Sequence, residues 1–372
     1  MQQGLYPEWL GAQEVSAGRS PYRPEVTERI QATIYGTASV RTGNEQRFAY
    51  PVYSALLFLP LAVLPFAVAQ YVCLAACLVL ALLSVRRWAF GREISRSQLL
   101  VAMVGVFSTY PAILGLQLRQ PSLLMAGLLS VVYYWARSGR LAQAGMLAAL
   151  CTSKPQLAVA VLLPLSIWAM ADWHGRKRFL VSLGGSMGTL LLVSEIVVPG
   201  WFGQWLATMR AYSHYAGSAP LLSDLLRGHF VWPAGVLLLV ASLWVSYRFC
   251  ESDLLFAISC SIAVFQLVFP FLLYNEILLI PVALWLLRRP RATKPTEQLF
   301  ELLWGCSWAL LAIAAAAMFG LTVANLVVPG SGLKLWQVPF VMAWLYPWSV
   351  LLALSSYVVS RPANGGYAKA RS

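Results

Sequence analysis

The stretch from Leu141 to Ala171 constrains this chain more than any other. It is a largely apolar run interrupted by the cluster Thr152-Ser153-Lys154-Pro155-Gln156, and basic residues close it at both ends: Arg137 and Arg140 before it, Arg176, Lys177 and Arg178 after it. Proline has no amide to donate and restricts the helical conformation of its predecessor. The stretch is therefore expected as two short helices broken at Lys154-Pro155. Two basic ends on one side of a membrane, with a lysine at the turn, make a hairpin. Lys154 then stands at the opposite face, where a positive charge calls for a reason.

The rest of the chain repeats the theme. Hydrophobic residues make up 59% of 372 positions and charged residues 11%, against about 25% charged in soluble domains. The mean hydropathy is +0.67. Apolar runs long enough to cross about 30 Å of hydrocarbon indicate a helical bundle. A barrel would alternate in short segments, and these runs do not. The fold class is all-α: a polytopic helical membrane protein with about eleven crossings, short hairpin helices included.

A net charge of +13 raises nucleic acid as a partner, but its distribution argues against one. Most of the 27 basic residues fall in short loops or the tail on one side: Arg86, Arg87, Arg92 and Arg96; Arg137 and Arg140; Arg176 to Arg178; Arg248; Arg288, Arg289, Arg291 and Lys294; Arg361, Lys369 and Arg371. That asymmetry is the positive-inside pattern, so these loops and the C-terminus are expected in the cytoplasm of a bacterial-type plasma membrane, with the lipid bilayer as partner. The six cysteines, Cys73, Cys77, Cys151, Cys250, Cys260 and Cys306, show neither metal spacing nor a disulfide framework. No cofactor motif appears, and the need for a divalent metal is open.

Three regions follow. Residues 1–52 form a polar, charge-balanced head with two short helices, the first amphipathic and ended by Gly18, the second capped in part by Thr27. Residues 53–359 carry the membrane helices, and 360–372 form a basic tail. Counting back from the cytoplasmic loops puts the head on the extracytoplasmic side. That parity calls for a preceding span which this sequence does not contain.

The polar residues collect on the outer turns in this topology. Lys154, before Pro155 in a first helical turn, combines an ammonium with a helix N-terminus and so makes an anion site. Gln156 follows it. Arg119, on a neighbouring outer turn, adds forked donors suited to phosphate, and Gln120 beside it is, with Gln156, a substrate-binding candidate. The alternative is that both cations reach out to lipid headgroups. Glu195 lies within its span, and Tyr274-Asn275-Glu276 form a turn too short to be a solvated loop; these are substrate-binding candidates. Capping or packing explains Glu276 as readily, and a structural pairing with Arg210 or Arg227 explains Glu195. Glu8 and Glu14 are the head carboxylates. Trp201, Trp205, Tyr212, Tyr215 and Trp232 fit either an interfacial belt or stacking on sugar rings.

The segments LYPEWLGAQEVSAGRSPY, FAYPVYSALLFLPLAVLPF, LQLRQPSLLMAGLL, AGMLAALCTSKPQL, SEIVVPGW and YNEILLIP, in that order, resemble the GT-C superfamily of membrane glycosyltransferases. The likeness is greatest to bacterial polyprenyl-phosphate-mannose-dependent alpha-mannosyltransferases. It implies a polyprenyl-phosphate sugar donor, a glycan or glycolipid acceptor, and inverting transfer of a hexose, mannose, at the extracytoplasmic face. It also implies a carboxylate that takes the acceptor proton and cations that stabilise the departing phosphate; Lys154 and Arg119 suit the second role. Relatives carry an Asp just before the LYP-like segment, where this chain has Gly4. Glu14, ahead of Glu8, is the expected substitute. A lipid-linked-saccharide transporter or flippase and an inactive relative are the competing readings. Transporters tend to show repeated halves and polar mid-membrane breaks, and neither is seen in this sequence.

Overall fold

A computed structural model describes residues 4–36, 46–91, 93–215, 221–226, 228–269, 272–283, 295–328 and 337–360. The basic tail from 361 on, and Arg92, Arg288, Arg289, Arg291 and Lys294, lie outside these residues. The described residues are helical and contain no strand. They form two compact units. The first comprises Met1–Arg92, Gly115–Leu162 and Asp172–Ser218; the second comprises Glu93–Leu114, Leu163–Ala171 and Ala219–Ser372.

The first unit starts with α1 (Tyr6–Ser16) and α2 (Pro24–Tyr35). Gly18 ends α1 with φ +68, as expected. Two expectations are corrected. Pro24 opens α2 behind Arg23, so Thr27 lies inside the helix and caps nothing. And α1 is not a one-sided amphipathic helix, because Pro7, Glu8, Leu10, Gly11, Ala12, Glu14 and Val15 are all buried. Its partner is α3 (Ala55–Ala62). The last carbonyls of a helix have no partner within it; here the Trp9 indole donates to Leu61 O and Leu64 O, at 3.1 and 3.2 Å, and the Gln13 amide donates to Ala62 O at 3.0 Å.

Pro65 then starts the long apolar helix α4 (Phe66–Trp88). Its buried residues Ala69, Cys73, Cys77, Ala81 and Val85 recur every fourth position and so form one face. Small side chains let backbones approach closely, and α4 packs against α7 (Pro121–Arg137). Cys73 and Cys77 thus serve packing. The same logic holds α8 (Leu141–Cys151) against α10 (Trp173–Val197): a Cβ on Gly145 would meet Phe179 O at 2.3 Å. Along α10, Val181, Leu191, Leu192, Val193 and Ile196 are exposed, as expected of a helix facing hydrocarbon. The Leu141–Ala171 stretch is indeed two helices, α8 and α9 (Pro155–Ala171). Thr152 and Ser153 hydroxyls donate to Ala149 O (2.6 Å) and Leu150 O (2.7 Å), carbonyls that also accept the Thr152 and Ser153 amides as the helix tightens at the break. This unit ends with α11 (Trp201–Tyr215).

α5 (Arg96–Phe107) and α6 (Tyr110–Gln117) form a pair bent by 64°. Pro111 supplies the reason, since a proline ring displaces the carbonyl four residues back. Ser108 and Thr109 hydroxyls donate to Val104 O and Val106 O at the bend.

The second unit holds α12 (Leu222–Leu225), α13 (Val231–Phe249), α14 (Leu254–Val268), α15 (Leu279–Ala283), α16 (Pro295–Val327) and α17 (Gln337–Ser360). Every residue of α14 is buried, which explains why it is apolar on all sides. It packs against α13, α15 and α17, and α16 packs against α17.

Among the described residues, five helices are long and apolar enough to cross a membrane, or six if the bent pair counts as one span. About eleven crossings are expected from the sequence; besides these five or six, the described residues hold shorter apolar helices such as α8, α9 and α14.

Candidate active site

Glu8 and Lys154 are far apart in sequence, and the first unit brings them together. Glu8 is 2% exposed and Lys154 3% exposed. Lys154 occupies the N-cap position of α9, between Ser153 and Pro155. Its amide and that of Ser153 donate back to α8, while Leu157 and Ala158 amides donate to Lys154 O, each at 3.1 Å. Pro155 has no amide. The anion-binding capacity expected of this helix start therefore rests on the ammonium, with little from the backbone. The ammonium donates to Ser122 Oγ in the first turn of α7. A buried lysine is not one that reaches out to headgroups, which disposes of that alternative for Lys154.

Burial pushes the Glu8 carboxyl up from the ordinary carboxylate range toward neutrality. Its own backbone amide, the Lys154 charge and the Tyr50 hydroxyl pull the other way. Burial likewise lowers the Lys154 ammonium, and Glu8 opposes that. Among the described residues, Glu8 Oε2 has no hydrogen-bond partner in the protein. A buried carboxylate oxygen with an open lone pair and a pKa near neutrality is what a general base requires. Neither Ser122 nor Tyr50 stood out in the sequence; each sits in a segment that carried the resemblance, but an isolated Ser or Tyr has no spacing signature.

Glu14 lies on the same helix in a different setting. Arg19 Nε, Arg23 Nη2 and Arg29 Nη1 bind its oxygens at 2.7, 2.9 and 3.2 Å. The Arg19 hydrogen bond holds its carboxyl below the usual range, against the effect of burial. Its lone pairs are taken by cations, so it fastens α1 to the start of α2.

Arg119 ends α6 in the left-handed region, φ +51. Gln120 N donates to Gly115 O (2.9 Å) and Arg119 N to Leu116 O (3.1 Å), the helix ending in which glycine is usual. The guanidinium lies 5.9 Å from the Tyr71 ring centroid, and its buried Nε has no protein partner among the described residues. Gln120 caps α7. A Cβ on Gly4 would meet Gln120 Nε2 at 2.3 Å, so the Gly4 position has no room for a side chain in this packing. Gln156 is half-buried in the first turn of α9.

The remaining candidates are elsewhere. Glu195 is exposed and accepts from the Gly200 amide at 2.7 Å, closing the turn after α10. Tyr274, Asn275 and Glu276 lie in a short 3-10 helix, Leu273–Leu278, of the second unit, with Asn275 and Glu276 buried. Trp201 stacks edge-on against Tyr53, whose hydroxyl contacts Thr152 Oγ1 at 3.0 Å. Tyr212 and Tyr215 side chains lie outside the described residues. No group of three or more His, Cys, Asp or Glu among the described residues could hold a metal.

The described residues form the apolar helical bundle of an integral membrane protein, with Glu8 and Lys154 buried in its first unit. The chain matches the model of Glycosyltransferase family 87 over residues 48–313, most of its length, and belongs to that family; it is a membrane glycosyltransferase. No curated protein and no solved structure matches it. Arg119, Gln120, Lys154, Gln156, Glu195, Tyr274, Asn275 and Glu276 fall inside the matched residues, and Glu8 and Glu14 precede them.

Proposed function

We propose that this glycosyltransferase moves a hexose, mannose, from a polyprenyl-phosphate donor to an acceptor hydroxyl at the extracytoplasmic face, with inversion. Glu8 takes the acceptor proton as the hydroxyl attacks the anomeric carbon. Lys154 and Arg119 stabilise the charge that develops on the departing lipid phosphate. Gln120 and Gln156 flank the two cations and bind the donor. One observation carries this reading: a buried carboxylate with an unpartnered oxygen, electrostatically coupled to a buried lysine. The environments of the two head carboxylates reverse the order expected from sequence. Glu14 is tied down by three arginines, whereas Glu8 has an oxygen to offer.

The deciding experiment measures transfer from radiolabelled polyprenyl-phosphate mannose in isolated membranes. Glu8→Gln should reduce kcat by about 10²–10⁴-fold, the usual contribution of a general base, and still bind donor. Lys154→Ala should lose transfer, and Lys154→Arg should restore part of it. Wild-type turnover by Glu8→Gln would sink the assignment of the base. Full activity of Lys154→Ala would sink the phosphate role.

A further inference from the structure

The second unit contains a buried acid that the reading above leaves unused. Glu276 is 2% exposed, and neither carboxylate oxygen has a hydrogen-bond partner in the protein among the described residues. More than nine in ten buried polar groups are partnered, so two open oxygens on one carboxyl call for a ligand. The 3-10 helix bearing Glu276 packs against α15 and α17. On α17, Tyr346 is 0% exposed and its hydroxyl is equally unpartnered. The carboxylate lies within electrostatic reach of the Tyr346 phenol and of Tyr110, at the start of α6. Gln266, fully buried on α14, adds an amide whose two polar atoms have no protein partner; α14 packs against both α15 and α17.

These groups are mixed in character. A carboxylate accepts, phenols donate and accept, and an amide does both. A metal cation needs several anionic or neutral-donor ligands, and no group of three His, Cys, Asp or Glu forms among the described residues. A sugar ring has adjacent hydroxyls that each donate and accept, and so matches a mixed set.

We propose that Glu276, Tyr346 and Tyr110 form a saccharide site that binds ring hydroxyls. The inference rests on membership of a glycosyltransferase family and is independent of the roles given to Glu8 and Lys154. The hydroxyls belong to either the acceptor or the donor hexose, two sources of one chemistry.

Purified full-length protein in detergent is titrated with methyl α-D-mannopyranoside while tryptophan fluorescence is followed. The fully O-methylated sugar, which has no hydroxyl to donate, is the control. Wild type should bind the hydroxylated probe saturably and ignore the methylated one. Glu276→Gln and the conservative Tyr346→Phe should each weaken binding about tenfold, as loss of a buried hydrogen bond does. Transfer assays then separate the sources: a raised KM for acceptor identifies the acceptor and a raised KM for donor identifies the donor hexose, and either supports the site. No saturable binding by wild type, equal binding of the methylated sugar, or wild-type binding by both variants overturns the proposal. Because binding is read without turnover, its failure is distinct from failure of Glu8 as base.

Discussion

Glu8 and Glu14 share one short helix, yet their surroundings divide their roles. Activity should depend on pH in the manner of a buried pair, whose titration belongs to both members. As the proposed base, Glu8 acts deprotonated, and its pKa is raised, so kcat/KM should climb through the neutral range rather than near 4.5, the ordinary value. As the proposed phosphate cation, Lys154 acts charged, and its pKa is lowered, so activity should fall again below the usual lysine range. A pH–rate profile of transfer tests both limbs, and a flat profile from pH 6 to 9 would contradict the pair. Glu14 has the opposite sign. Its folded pKa is depressed, so its stabilisation is present above the unfolded value and is lost as pH falls through the folded one. Glu14→Gln should leave kcat near wild type but weaken the head by about 1 kcal/mol, since the exposed arginines are screened by solvent. Hydrogen exchange along α1 and α2 measures that loss. Arg119 offers a third separation. Glycine adopts φ > 0 without strain, so Arg119→Gly should hold or slightly raise thermal stability while lowering transfer. A parallel fall in both would make Arg119 merely structural.

At the scale of elements, close approaches position the site. A Cβ on Gly11 would meet the Phe48 ring at 2.2 Å, and Phe48 is 1% exposed. The bare face of α1 therefore seats Phe48, and with it the short segment that delivers Tyr50 to Glu8. Gly11→Ala should cost about 1–3 kcal/mol, as overpacking in cores does, and should reduce transfer by displacing Tyr50. A thermal melt with an activity assay checks both. The break at Lys154-Pro155 and the stop at Gly18 were legible because proline and glycine act through their own backbone, whereas the bend before Pro111 came only with the structure. Thr27 misled because a cap residue is recognised only relative to where its helix begins, and Pro24 had already begun it.

At the scale of the molecule, the charge asymmetry leads us to propose that the basic loops face the cytoplasm and the head the opposite side. A cysteine at Ser16, exposed in the head, should react with a membrane-impermeant maleimide on intact cells in a cysteine-free background. One at Lys177 should react only after permeabilisation. The reverse pattern would turn the chemistry to the other face.

What the sequence determined by itself was class: apolar runs, their basic flanks and their proline breaks are local, and the bilayer imposes helix on each run. It also singled out Lys154, because a lysine that interrupts such a run is visible without neighbours. What only tertiary structure decided was the company each charge keeps. Glu8 and Glu14 look alike in sequence because burial and partners come from distant residues: three arginines close around one, while Tyr50 and Lys154 approach the other from segments far along the chain. A carboxylate's chemistry depends on its solvation and on the charges within a few ångströms, and neither is encoded at the residue itself.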